Sequence, residues 1–306
     1  MPPTNCFIKN EWDTLNKVIV GTALSWGLNP TAESAVDPKS REHILSGTYP
    51  TWSNVQKELD SLVKLLENNG VQVLRPVVQD NLNQVFCRDV GVMIHDMFIR
   101  SSMITDRIPE WKGISNLCSE LPTSNILVPP KEVRLEGGDI MPMDDEIWVG
   151  YSEEPDFSTF KTSRTNKAAL VWLQEQFPKL KVRGFQLNKS DLDPRVNALH
   201  LDCCLCPLSG GNAFFHPGGL KLNKDIEWIR EKFKDKICEI DAEAMYNMHC
   251  NLFSLNPNTI VIGEGFTEVH KQLNNWGYNV LETPFNETAK MEGLLRCVTL
   301  PLKRIS

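Results

Sequence analysis

The sequence predicts an α/β ring built from five repeats of one unit, each with three short strands and a helix. Three observations carry that expectation. Five helix-then-strand pairs begin at about residues 54, 109, 166, 223 and 267, and self-similarity at a period of tens of residues marks a repeat architecture. Hairpin-like pairs of apolar runs sit between them. The fifth unit is completed only if the last run, Val298 to Leu302, pairs with the first, Lys17 to Gly21, which closes the ring.

The first helix, Asn54 to Asn69, places Val55, Leu59, Leu62 and Leu66 on one face. Ser53 and Gln56 suit a capping box, Gly70 can end the helix, and "VQVLR" follows as a strand. A weaker helix near Pro109 to Leu121 leads to "NILVP", Asn166 to Phe177 leads to "KVRGF", and Asn223 to Phe233 leads to "KICEI". Thr267 to Trp276, closed by Gly277, leads to "YNVLE". The hairpins are "GVMIHD" with "MFIR", "DIMPM" with "EIWVG", "CCLCPL" with "NAFF", and "NLFSL" with "TIVIG". The C-terminal "MEGLLRCVTLPLKR" is then the clasp of the ring. The long polar segment from Ala23 to Trp52 lacks periodicity and reads as a lid or a solvated connection.

Composition narrows the function. A chain of 306 residues, 41% hydrophobic and 23% charged, is ordinary globular material, read here as one domain over residues 1–306. No apolar run is long enough to span a bilayer, and the first residues lack a charged start followed by an apolar stretch. A cytoplasmic protein is therefore expected. Nine cysteines without repeating spacing argue for reduced thiols rather than a disulfide framework. A net charge of −7 with no basic stripe argues against nucleic acid and gives mild support to a cationic ligand. A homo-oligomer is left open.

Chemically capable residues fall at equivalent places, after the short strand of a unit and before the next hairpin. These are Asp89 in "FCRDVG", Glu136 in "RLEGGD", His200 in "ALHLD" and Cys297 in "LLRCV". Equivalent positions in a closed ring point toward one axis, so a thiol, an imidazole and two carboxylates should converge as a nucleophilic constellation. The fourth unit, "YNMHCNLF", offers His249 or Asn251, and Asn251 suits backbone groups near the site. Taken singly, each residue has a plainer reading: Cys297 as a buried small hydrophobe, "EGGD" as a turn, His200 as a structural histidine. Cys203, Cys204 and Cys206 raise a zinc site, but they lack C-x-x-C spacing and would face opposite ways along a strand, so no metal is expected.

"FCRD", "LEGGD", "SRTN" at Ser163 to Asn166, "HLD" and "GLLRC" resemble, in order and over nearly the whole chain, the guanidine-modifying enzymes. These include arginine deiminases, dimethylarginine dimethylaminohydrolases and amidinotransferases. "NEWDTLNKVIVG" looks like the first strand of the same superfamily. The resemblance implies a five-bladed α/β propeller, the pentein fold, with pseudo-fivefold symmetry. It implies Cys297 as nucleophile, His200 as general acid and base, and Glu136 as the carboxylate orienting the imidazole. Asp89 and Asp202 would grip the guanidinium nitrogens. Asp139 of "LEGGD" joins the substrate-binding set, and Arg164 would pair with a substrate carboxylate, with Arg107 as a second candidate. No cofactor is implied.

A planar, permanently charged guanidinium suits paired carboxylates, which leave its carbon open to a thiolate. Asp202 stands where dimethylarginine hydrolases usually carry Lys, which favours an unmethylated guanidine, and "LLRCVTLPL" looks closer to hydrolases than to transferases. The sequence thus points to a hydrolase of arginine or a close relative, releasing ammonia and a ureido product. An amidinotransferase and a non-catalytic arginine-binding protein are the alternatives.

Overall fold

The two ends of the chain meet in one sheet. Thr14–Val20 runs antiparallel to Thr299–Ile305, with Val18 opposite Pro301 and Val20 opposite Thr299, and parallel to Gln72–Leu74. This computed structural model describes residues 6–24, 26–119, 121–154 and 160–306. Within them the chain forms five three-stranded sheets of one pattern. A hairpin supplies two antiparallel strands, and a helical crossover delivers a third, parallel one. The second blade joins Gly91–Ile94, Met97–Arg100 and Ile126–Leu127. The third joins Ile140–Met143, Glu146–Tyr151 and Lys181–Gln186. The fourth joins Leu205–Pro207, Ala213–Phe215 and Ile237–Glu239. The fifth joins Phe253–Asn256, Thr259–Gly263 and Asn279–Thr283. This is the five-bladed α/β propeller expected above.

Helix Trp52–Asn68 buries Val55, Leu59, Leu62 and Leu66 completely. Each such side chain contributes about 1.5–3 kcal/mol by leaving water. The helix starts two residues early: Thr51 caps it by accepting from the Asn54 amide, not Ser53. Gln56 works elsewhere, its Oε1 accepting from the Ala23 amide at 2.8 Å and the Thr22 hydroxyl at 3.1 Å. The second crossover, expected as one helix, is a 3-10 turn Thr105–Glu110 followed by the short helix Trp111–Ile114. Pro109 lacks the amide that a continuous helix needs there. The other crossovers are Ala168–Gln176, Asn223–Phe233 and Thr267–Asn275, close to their expected bounds. Glu120 of the expected second helix and Ser25 of the expected lid lie outside the described residues.

Two further departures bear on the site. Cys203 and Cys204, expected on a strand, belong to the helical turn Leu201–Cys204, and only Cys206 lies on the strand of that hairpin. The segment before the first crossover contains the helix Pro38–Leu45, capped by Asp37, whose carboxylate accepts from the Ser40 amide at 2.6 Å. Among the described residues no helix is long and apolar enough to cross a membrane.

Candidate active site

All five blades present a polar residue just before the hairpin strand. Asp89 lies in the turn Cys87–Val90 leading into Gly91, and Glu136 precedes the turn Gly137–Asp139 leading into Ile140. His200 precedes the helical turn that leads into Leu205. Asn251 comes two residues before Phe253, and Cys297 two before Thr299. The backbone leaves room for this convergence only because Gly137 and Gly138 lack side chains. A Cβ on Gly137 would fall 2.1 Å from the Arg88 carbonyl oxygen. One on Gly138 would fall 2.8 Å from the His200 ring and from Asp89 Oδ1. The Gly-Gly pair is therefore more than a turn.

Cys297, His200 and Asp89, each at most 3% exposed, line one cavity of about 270 Å³. Arg107, Arg164 and residues Ala35 to Asp37 of the segment before the first crossover line it too. The His200 Nε2 lies 2.9 Å from Glu136 Oε2, and its Nδ1 3.7 Å from Asp89 Oδ1. Burial alone would lower the imidazole pKa, but Asp89, Asp139 and Glu136 outweigh it and raise it. Burial alone would likewise raise Glu136, but Arg164, His200 and Arg107 hold its carboxyl well below the usual range. The Cys297 thiol is pushed well above its ordinary value by burial, then by the Asp202 and Asp89 carboxylates. Both shifts favour the protonated imidazole and the neutral thiol. Among the described residues Asp89 Oδ1 accepts no hydrogen bond, its nearest charged neighbour being His200 Nδ1.

Glu136, Asp139 and Asp202 stand behind this wall with no exposed surface. Asp139 holds the backbone under His200, accepting from the Leu201 amide at 2.9 Å. Asp202 is bound by Arg296, whose Nη1 donates to its Oδ2 at 2.7 Å, and the same oxygen lies 3.7 Å from Cys297 Sγ. Arg107 donates to Asp89 Oδ2 at 2.7 Å and forks onto both oxygens of Glu110. Arg164 bonds Glu136 at 3.0 Å and the Val36 carbonyl at 2.8 Å, tying the blade to the segment before the first crossover.

Sequence reading undervalued Asn251. Its Oδ1 accepts from the Arg296 and Cys297 amides at 2.9 and 3.3 Å, the backbone role expected of it, while its Nδ2 donates to Cys297 Sγ at 3.2 Å. Its repeat register was the available signal. His249 instead packs against the Phe266 ring at 4.3 Å. Arg296 and Glu11 were missed altogether. Glu11 receives Arg296 Nη2 at 3.0 Å and Nε at 3.2 Å, 285 residues away in sequence, a pairing no local pattern reveals.

Comparison with known proteins agrees with this architecture. The sequence profile of "N,N dimethylarginine dimethylhydrolase, eukaryotic" matches residues 31–304. The uncharacterized protein YkgA of Bacillus subtilis is 28% identical, the match covering 97% of this chain and 94% of that protein. Inosamine-phosphate amidinotransferase 1 of Streptomyces griseus is 25% identical over 97% and 96% of the two chains. The N-terminal domain of ArgZ, a cyanobacterial arginine dihydrolase solved with its product, superposes with a TM-score of 0.77 at 19% identity, covering 95% of this chain and 98% of that one. Fold and relatives define a guanidine-modifying protein of the pentein superfamily. Within that class, the chain belongs to the dimethylarginine dimethylhydrolase family.

Proposed function

We propose that the chain is a cysteine-dependent hydrolase of arginine or a close analogue, forming ammonia and a ureido product. The observation that carries this reading is the convergence of Cys297, His200 and Asp89 on one cavity. Asp89 takes a guanidinium N–H, while Asp202, fully buried and held by Arg296, places negative charge 3.7 Å from the thiol from behind the wall. The arriving cation offsets the carboxylates that raise the thiol, so on binding Cys297 releases its proton to solvent and attacks as the thiolate, and the ureido product gives a proton back when it forms. Sulfur attacks the guanidinium carbon. The protonated His200 gives its proton to the departing nitrogen, the C–N bond breaks, and an amidino-thioether remains on Cys297. His200, now neutral and oriented by Glu136, takes a proton from water. The hydroxide adds to the carbon, the C–S bond breaks, and the ureido product leaves.

An amidinotransferase begins with the same thiolate attack but expels the alkyl amine, ornithine, instead of ammonia, leaving a bare amidino group on the sulfur, and the Streptomyces relative is named as one. Incubating the protein with arginine in water enriched in heavy oxygen separates the two. The hydrolase gives ammonia and a ureido product labelled once per turnover, at a rate that added amines do not raise. No ureido product from arginine alone, with ornithine and a new guanidino compound once an amine is added, establishes the transferase instead.

A further inference from the structure

Glu11, Arg88 and Arg304 line a second cavity, which shares no residue with the catalytic one. It measures about 10 Å³, room for a single water-sized particle, and apolar side chains such as Val92 and Pro301 complete its wall. The three charged residues come from distant parts of the chain. Glu11 precedes the first strand, Arg88 lies in the turn Cys87–Val90 that carries Asp89, and Arg304 lies in the last strand.

Two guanidiniums reach this cavity with donors to spare. Arg88, 2% exposed, donates from Nε to the Arg296 carbonyl at 3.3 Å, and its Nη1 stands 3.7 Å from Glu11 Oε1. Arg304, 4% exposed, donates from Nη1 to the Asp13 carbonyl at 2.6 Å, with its Cζ 5.3 Å from the centre of the Phe253 ring. Arg88 Nη2, Arg304 Nε and Arg304 Nη2 are buried and find no acceptor among the described residues. Buried donors are almost always paired, because a bare one bears its full desolvation penalty.

The nearby acceptors are already taken. Glu11 receives Arg296 Nη2 at 3.0 Å and Nε at 3.2 Å, and Asn10, which also lines the cavity, turns its Oδ1 to the Trp12 and Asp13 amides. The Asp13 carboxylate is half-buried and bonds the Ser306 hydroxyl at 3.0 Å. Charge is out of balance as well. Arg88, Arg296 and Arg304 surround Glu11, and the one further buried carboxylate in this network is Asp202, held by Arg296 Nη1. Burial and the neighbouring guanidiniums push Arg88 and Arg304 down to about 10 despite Glu11.

We propose that this cavity binds a small monovalent anion, a halide such as chloride, through Arg88 and Arg304. Water fits the space but brings no charge to set against the surplus guanidinium. A halide accepts from several N–H groups at once and supplies that charge, whereas a carboxylate or phosphate is too large for the space. So held, the anion ties the last strand to the turn that carries Asp89.

Crystals of the unmodified protein soaked in bromide, with data collected at the bromine absorption edge, test this directly. An anomalous peak is expected within hydrogen-bonding reach of Arg88 Nη2 and Arg304 Nη2. In solution, Tm at equal ionic strength should be about 2–5 °C higher in sodium chloride than in sodium gluconate, whose anion is too large to enter, and the gain should saturate with chloride. Arg304→Met keeps an apolar stem on the strand and should abolish that difference. If this variant does not fold, the bromide map and the salt comparison on the unmodified protein decide. Water without anomalous signal in the cavity, bromide confined to the molecular surface, equal Tm in the two salts, or a difference that persists in Arg304→Met overturns the proposal.

Discussion

At the scale of single residues, the site works by opposing charges that do not quite cancel. Burial and two carboxylates raise the pKa of the Cys297 thiol, whereas three carboxylates outweigh burial and raise that of His200. Asp202→Asn removes one of the charges that raise the thiol and frees the Arg296 cation beside it. The pKa of Cys297 must then fall, and its alkylation by iodoacetamide, followed on the peptide by mass spectrometry, should reach half-maximal rate at lower pH than in the unmodified protein. An unmoved or higher midpoint contradicts the electrostatic account. Cys297→Ser should keep the fold and abolish turnover, because a hydroxyl in the same surroundings does not ionise; substantial residual ureido product ends the nucleophile assignment. Gly138→Ala puts a methyl group against His200 and Asp89. With displacement of the imidazole by about 1 Å, kcat should drop about a hundredfold, measured alongside a circular dichroism spectrum that stays unchanged. The chemistry-bearing residues were legible because the repeat puts each at the same register. Asn251 has that register too, but an asparagine carries no intrinsic reactivity, so only its 3.2 Å contact with sulfur shows its worth.

At the scale of elements, amphipathic periodicity located the helices and tertiary contacts chose their ends. Gln56 illustrates the limit: a cap at Ser53 would let it reach back to that cap, but with the cap at Thr51 it sits a turn further on and can only reach outward, and sequence does not say which cap is used. Here it reaches outward and holds Thr22 and Ala23, where the lid segment begins. The lid is tied again by Arg164 to the Val36 carbonyl and by Lys161 to the Ala35 carbonyl at 2.9 Å. Its helix Pro38–Leu45 has short polar stretches on either side and little apolar periodicity, which is why it read as irregular. Because these ties join the lid to the cavity wall, Gln56→Ala should loosen the lid without dismantling the blade beneath. The expected result is faster limited proteolysis between residues 23 and 52 and a KM raised severalfold, with Tm lowered by no more than a few degrees. Unchanged proteolysis and unchanged KM together would show that the segment is only a connection.

At the scale of the whole molecule, the fold depends on closure, and closure is also what assembles the site. Leu300 and Leu302 of the last strand are fully buried, and that strand carries the first blade's antiparallel pairing. Two residues before it stands Cys297, next to Arg296, which reaches through the centre to Glu11 and Asp202. Arg88 adds a second cation 3.7 Å from Glu11, and this network pulls the Glu11 carboxyl down to about 2 despite burial. A chain ending at Val298 keeps the nucleophile yet leaves Thr14–Val20 an unpaired, apolar edge, a known route to aggregation. Such a truncated protein should show no cooperative thermal transition and no turnover. The loss should come from opening the ring rather than from missing residues as such. The ends are adjacent, with the Phe7 amide donating to the Leu302 carbonyl and the Arg304 amide to the Phe7 carbonyl, both at 2.9 Å. A circular permutant that joins them by a short flexible linker and opens the exposed turn between Pro257 and Asn258 retains every strand pair. It should unfold cooperatively and turn over substrate at a rate within about threefold of the parent, since no cavity residue is near the new ends. Turnover by the truncated chain, or a permutant that folds but is inactive, would show that the clasp does not position Cys297.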